Sequence, residues 1–290
     1  MKRILFFTLC ASLFFTDGMA QKRNKGQAYG QRPDRKSEFL KTQWWLGFFA
    51  GANLTEGVSR GSYSGYVPVN YSTSDLDKEY DNFLPAGQAG ITVSFYHRGF
   101  SFVFEPQFRT ERFGYRNSYL WTSETDPSNS LELIYHHTHQ LQYVTLPGYI
   151  RYDLLSGKFR PYIQAGAYYS RLVDAKKTLA TSGTDMASGG KGPFEQEEVT
   201  FGADDLFIKT NVGWAAGAGV HYDIWNVRLS LNILYRSGIN NITHGTNRYS
   251  ENPLTGTGDA MDDLSLRNID INLGCVFPLR FISSNLKAVE

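Results

Sequence analysis

From Ile269 to Phe281 every second residue is apolar. Ile269, Ile271, Leu273, Cys275, Phe277, Leu279 and Phe281 share one side, with Asp270, Asn272, Gly274, Val276, Pro278 and Arg280 on the other. A period of two over so long a run predicts a β-strand with one apolar face. The pattern returns at Phe100, Phe102, Phe104 and Phe108 against Ser101, Glu105, Gln107 and Arg109. It returns again at Val227, Leu229, Leu231, Ile233 and Tyr235 against Arg228, Ser230, Asn232 and Arg236. Eight such segments succeed one another, roughly Gln43–Asn53, Gly87–His97, Gly99–Phe113, His139–Asp153, Phe159–Val173, Phe207–Asp223, Val227–Ser237 and Leu266–Phe281.

The connections between them alternate in length. Arg98 with Gly99, Leu154–Lys158 and Ile224–Asn226 are short, whereas about 33, 25, 33 and 28 mostly polar residues separate the other neighbours. Long, short, long, short describes an outer-membrane barrel, which has an even strand number, tight turns on the periplasmic side and longer loops outside. Strands of about 9–11 residues suffice to cross the hydrocarbon. The expected fold is therefore all-β: an eight-stranded antiparallel up-and-down transmembrane β-barrel with long extracellular loops and short periplasmic turns.

A soluble barrel would hide its apolar face. Here the smaller face carries Glu105, Arg109, Glu111, Arg151, Arg160, Arg228, Arg236 and Asp270 interleaved with glycines. Opposed charges and glycines at mid-strand fit a narrow eight-strand interior, which has room for side chains but not for an open channel. Glu105, Arg109, Arg151, Arg160, Arg228, Arg236 and Asp270 are accordingly expected to form a lumen charge network that plugs the barrel, since an unpaired buried charge is costly. Trp44, Trp45, Tyr152, Tyr169, Trp225 and Tyr235 lie near strand ends and suit interfacial girdles.

The chain ends add targeting. Met1-Lys2-Arg3, the apolar run Ile4–Phe15, and Gly18 and Ala20 at the −3 and −1 positions describe a signal peptide over residues 1–20. Its apolar run is too short for a spanning helix. Residues 21–42 form a basic periplasmic tail, with Lys22, Arg23, Lys25, Arg32, Arg35, Lys36 and Lys41 against Asp34 and Glu38. The barrel occupies 43–281 and a short C-terminal tail 282–290. The formal charge of +1 falls to zero once Lys2, Arg3 and Asp17 leave with the signal, so bulk charge gives no case for nucleic acid. Of two cysteines, Cys275 alone survives processing, so no intrachain disulfide forms.

Four stretches, YVTLPGYIRYDL at 143–154, RPYIQAGAYYSRL at 160–172, GWAAGAGVHYDI at 213–224 and LYRSGINNI at 234–242, resemble the PorT-like outer-membrane β-barrel domain of Bacteroidota. The resemblance covers roughly residues 43–281. It implies an eight-stranded outer-membrane barrel, without catalytic residues, in a family some of whose members serve type IX secretion or gliding.

Candidate chemistry is sparse. His137 and His139 stand at i, i+2 and are the metal candidates, with Glu132 the one acid nearby in sequence, although a polar loop-to-strand transition explains them as well. His244 with Asp259, Asp262 and Asp263, or the two histidines with Glu132, are the sets from which a rim enzyme would be built. The three aspartates otherwise read as a solvated acidic loop. No catalytic residue and no cofactor is expected. The expected partners are outer-membrane lipid and other envelope proteins, reached through the long loops or the basic tail.

Overall fold

The computed structural model describes residues 42–63, 78–126, 128–187, 192–224, 227–248 and 260–279. The signal segment, the tail up to residue 41, Trp225, Asp259, Phe281 and residues 282–290 lie outside the described residues. No helix among the described residues is long and apolar enough to cross a membrane.

The strands are β1 Gln43–Gly61, β2 Glu79–Tyr80, β3 Leu84–His97, β4 Phe100–Phe104, β5 Gln107–Thr122, β6 Ser130–Asp153, β7 Phe159–Asp185, β8 Gly192–Glu195, β9 Val199–Gly202, β10 Thr210–Ile224, β11 Val227–Gly238 and β12 Asp263–Pro278. β4 and β5 are one strand interrupted at Pro106, which has no N–H to give to a ladder. The register runs on unbroken across the gap: Val93 faces Phe104 and Gly90 faces Gln107. The Pro106 carbonyl still accepts from Ile91 N at 3.0 Å.

Counted this way, antiparallel ladders run β1, β3, β4–β5, β6, β7, β10, β11, β12 and back to β1, a closed ring of eight. The closing ladder pairs β1 with β12 from Trp45↔Pro278 to Gly61↔Asp263. At one end the connections are tight. Arg98 and Gly99 join β3 to β4 with φ of 48° and 91°, the positive pair that a two-residue type I′ hairpin demands. Ile224 faces Val227 across the β10–β11 turn.

The apolar face points outward. Phe102 is 63% exposed, Leu231 46% and Leu273 63%, with Phe48, Ile91, Ile150 and Ile163 alongside them in one belt. The alternate residues are buried and polar: Asn53, Gln88, Thr92, Gln164, Asn232 and Asn272 among them. A monomer in water does not keep so large an apolar surface exposed, whereas lipid accepts it. A closed ring also leaves no unpaired edge in the wall. Trp44, Tyr152, Tyr169 and Tyr235 stand on the outer surface. Trp45 does not; it is buried in the interior beneath the Arg228 guanidinium, 3.8 Å from the ring centre. Its neighbours Gln43 and Gly47 share that inward parity.

Most strands outrun the expected lengths, β1 with 19 residues among them, and the surplus is greatest from β5 to β7. β5, β6 and β7 have 16, 24 and 27 residues, against roughly 9–11 needed to cross. Their surplus stands beyond the belt at the long-loop end, and β8 and β9 lengthen it by pairing with β7. Residues expected to be loop, 114–138 and 174–185, are therefore largely strand. The sixth strand starts later than expected, at Thr210; Phe207 instead makes an isolated bridge to Thr243.

Candidate functional site

Among the described residues, five arginines and five carboxylates pair inside the barrel below the cap, arranged in three tiers. In the tier toward the loops, Arg109 on β5 grips Asp270 on β12 through two bonds, Nη1 to Oδ2 at 3.0 Å and Nη2 to Oδ1 at 3.1 Å. Its Nε lies 2.8 Å from Glu111. Arg236 on β11 approaches the same Asp270 at 3.5 Å and lies over the Tyr168 ring at 4.0 Å.

In the middle tier Arg151 on β6 reaches Glu105 at 3.4 Å and donates from Nε to Gln164 at 2.8 Å. The Thr92 hydroxyl donates to Glu105 at 3.3 Å. His221 stacks on Tyr162 with centroids 4.3 Å apart. In the tier nearest the tight turns, Arg160 pairs with Asp223 and, at 3.6 Å, with Asp153, and Arg228 Nε meets Asp223 at 2.9 Å.

All seven residues of the expected charge network thus lie in the interior, and the structure adds Glu111, Asp153 and Asp223 as counter-ions. Asp223 was within reach of the pattern: it continues the inward parity of Asn211 and His221 by one more step.

The loop end is closed by a second device. Leu206 and Phe207, next to a short 3₁₀ turn at Asp204–Leu206, fold inward with Ile242, Met261 and Leu264 onto the wall residues Phe113, Leu141, Tyr143 and Leu172. Backbone bonds hold this cap, Ile208 N to Ile242 O at 2.7 Å and His244 N to Leu206 O at 2.9 Å. No expectation from the sequence covered it. The signals available were short apolar runs, Leu206–Ile208 and Ala260–Met261 beside Asp262, inside polar stretches.

Asp262 ties the cap to the wall and is buried. It lies 2.7 Å from Lys78 Nζ and accepts from Tyr80 Oη at 2.7 Å and Tyr63 N at 2.9 Å. Asp263 is taken by Arg248 at 2.6 Å and by Asn241 Nδ2 at 2.8 Å. These two are structural anchors, not a solvated acidic loop. His244 bonds Thr246 at 2.9 Å, while Asp259 lies outside the described residues; the His–Asp contact at this end, among the described residues, is His136 Nε2 with Asp81 at 2.8 Å.

The histidine tract lies within β6, not at a loop. His137 and His139 point inward and are fully buried. His139 stacks on Phe113 at 4.8 Å and His137 on Tyr115 at 4.8 Å. Glu132 has the opposite parity on the same strand and is exposed, so it cannot join them. Among the described residues no group of three His, Cys, Asp or Glu side chains is placed to hold a metal ion.

Beyond the cap, β6, β7 and β8 enclose an open concavity of about 510 Å³, lined by Leu131, Leu133, Tyr135, Leu179, Thr181, Asp185, Phe194 and Gln196.

A closed antiparallel ring with an apolar exterior and a charge-paired interior defines an integral outer-membrane β-barrel protein. Residues 20–244 match the family described as outer membrane protein beta-barrel domain, and the chain belongs to that family. Among solved structures it is similar to Neisserial surface protein A, with 13% identity over 81% of this chain and 96% of that one and a TM-score of 0.35. It is similar also to Ail, the attachment invasion locus protein of Yersinia pestis, with 9% identity, 81% and 99% coverage and a TM-score of 0.28. The E. coli outer membrane protein W aligns at 12% identity, with 80% and 97% coverage and a TM-score of 0.30. No curated protein matches the chain.

Proposed function

We propose that the chain is a non-catalytic barrel that acts as a scaffold or assembly subunit of a cell-envelope complex, of the kind that its PorT-like motifs imply for type IX secretion or gliding. One observation carries this reading. The interior is filled by mutually paired charges and capped by apolar side chains, while a sheet built from β5 to β9 stands free of the belt on the outer side. A wall closed twice has no use for passage; a projecting sheet with a concavity of mixed apolar and polar lining suits a protein partner.

To test it, native membranes are solubilised in mild detergent, the tagged barrel is captured, and its co-eluting proteins are identified by mass spectrometry. The expected result is one or more envelope proteins in stoichiometric amount, lost when Leu133 and Tyr135 in the concavity are replaced by Asp. Removal of residues 21–42 tells whether the basic tail makes a second contact. A barrel that elutes alone and cleaves lipid or peptide overturns the proposal in favour of a rim enzyme.

A further inference from the structure

The outward surface of β5, β6 and β7 can be read row by row from its ladders. One row comprises Phe108, Val144 and Arg171. The next up is Thr110, Gln142 and Asp174, and above it stand Arg112, Gln140 and Lys176. Phe108, Val144, Leu146, Tyr169 and Val173 are the exposed large apolar residues at this boundary. The apolar belt therefore ends just above Arg171, at Val173, and Arg112 stands about 13 Å above Phe108, four residues along β5, with Lys176 in the same row. One strand, β6, lies between them, so they are about 10 Å apart, with Gln140 in the same row.

Arg112, Arg171 and Lys176 are exposed, and none makes an ion pair among the described residues. Asp174 is the one acid in these three rows. Across the closing ladder, by contrast, Glu56 on β1 faces Arg267 on β12, so that pair is neutral. The cations are thus gathered on one arc of the rim, where headgroups of the outer leaflet sit. We propose that Arg112 and Lys176, with Arg171 beneath them at the edge of the acyl region, hold the headgroup of an anionic phospholipid in the outer leaflet, with Gln140 and Gln142 as amide donors and the acyl chains lying along Phe108, Val144, Leu146 and Tyr169. The lipid anchors the base of the projecting sheet. Arginine suits phosphate through its planar paired donors, and basic residues at a membrane surface each strengthen such binding several-fold.

The test uses the full mature protein in nanodiscs of phosphatidylcholine doped with phosphatidic acid, with retained lipid counted by native mass spectrometry. The wild-type barrel is expected to keep phosphatidic acid selectively. Each of Arg112→Gln, Arg171→Gln and Lys176→Gln is expected to weaken retention about fivefold, and Arg112→Gln with Lys176→Gln about 25-fold. Arg112→Lys is expected to keep most of it. Neutralising Glu56 and Arg267 together on the far side is expected to change nothing. All these side chains face outward at the polar rim, so heat-modified gel mobility is expected to report a folded barrel throughout. Equal retention by the wild type and the double variant overturns the proposal. So does competition by soluble glycerol phosphate as strong as that of the lipid, which would make this a simple anion site.

Discussion

Arg109 and Asp270 are 161 residues apart in sequence and meet across the barrel through two parallel hydrogen bonds of 3.0 and 3.1 Å. Both are buried, at 0% and 1% exposure. The pair links β5 to β12 through the interior, whereas β12's ladders run to β1 and β11. It braces the wall from inside. Asp270→Ala leaves Arg109 with Glu111 alone and deprives Arg236 of its carboxylate, so a loss of about 3–5 kcal/mol is expected, the usual result of orphaning one member of a buried pair. Urea unfolding in detergent, monitored by gel mobility, measures it. Replacing both residues, Arg109→Met with Asp270→Leu, is expected to cost less than the single change; a double variant weaker than Asp270→Ala contradicts the bracing argument.

The glycines of β10 make a second prediction. A Cβ at Gly219 would lie 2.5 Å from the Tyr162 ring, and one at Gly213 would lie 2.5 Å from the Tyr168 hydroxyl. Both rings carry arginines of the charge network, Arg151 at 4.3 Å over Tyr162 and Arg236 at 4.0 Å over Tyr168. Gly219→Val pushes the Tyr162 ring off its seat and moves Arg151 with it. The expected cost is about 1–3 kcal/mol, as for other overpacked interiors. Tyr162→Leu in the same chain is expected to recover part of it, read by the same unfolding curve.

These residues also mark how far the sequence could be read. Leu231 beside Asn232 tells inside from outside, because lipid and a charged lumen are solvents of opposite kind and the side chains alternate between them. The seven lumen charges were legible for the same reason. That contrast fades above the belt. Thr138, Gln140 and Thr178 meet water on the outer face of β6 and β7, so the outward positions look like loop, and the first nine residues of β6 and the last twelve of β7 were not legible as strand. Trp44 and Trp45 differ in face but not in type, so composition could not separate them and parity alone does. The cap rests on Phe207, Ile242 and Met261, which are far apart in the chain and carry no period.

Closure of the lumen predicts an electrical result. Purified wild-type barrel in a planar bilayer is expected to show no large, steady single-channel conductance, because the charge tiers and the cap lie in series. Opening the cap through Phe207→Ala and Asp262→Ala together is expected to leave the bilayer nearly as tight, since the Arg109–Asp270 tier still fills the passage. Adding Arg109→Ala and Asp270→Ala to those changes is expected to give only brief, infrequent openings, because the Arg151–Glu105 and Arg160–Asp223 tiers still stand in series. Steady conductance from the wild type contradicts the closed interior.

The last prediction concerns the hairpin between β5 and β6, well outside the belt. The Asp126 carboxylate accepts from the Ser128 hydroxyl at 2.6 Å and from Ser128 N at 3.0 Å. The first of these bonds, then the second, holds its carboxyl below the usual carboxylate range. A group whose folded pKa is depressed contributes order above its unfolded pKa and loses it as pH falls through the folded value. The turn is therefore expected to stay closed at neutral pH and to loosen only in acid below the ordinary carboxylate range. Faster amide exchange at Ser128 and Asn129 on acidification, after correction for intrinsic rates, reports it. Ser128→Ala removes the larger bond, so the loosening is expected at higher pH in that variant, closer to the ordinary carboxylate value. An unchanged midpoint in Ser128→Ala shows that the hydroxyl does not set the titration of Asp126.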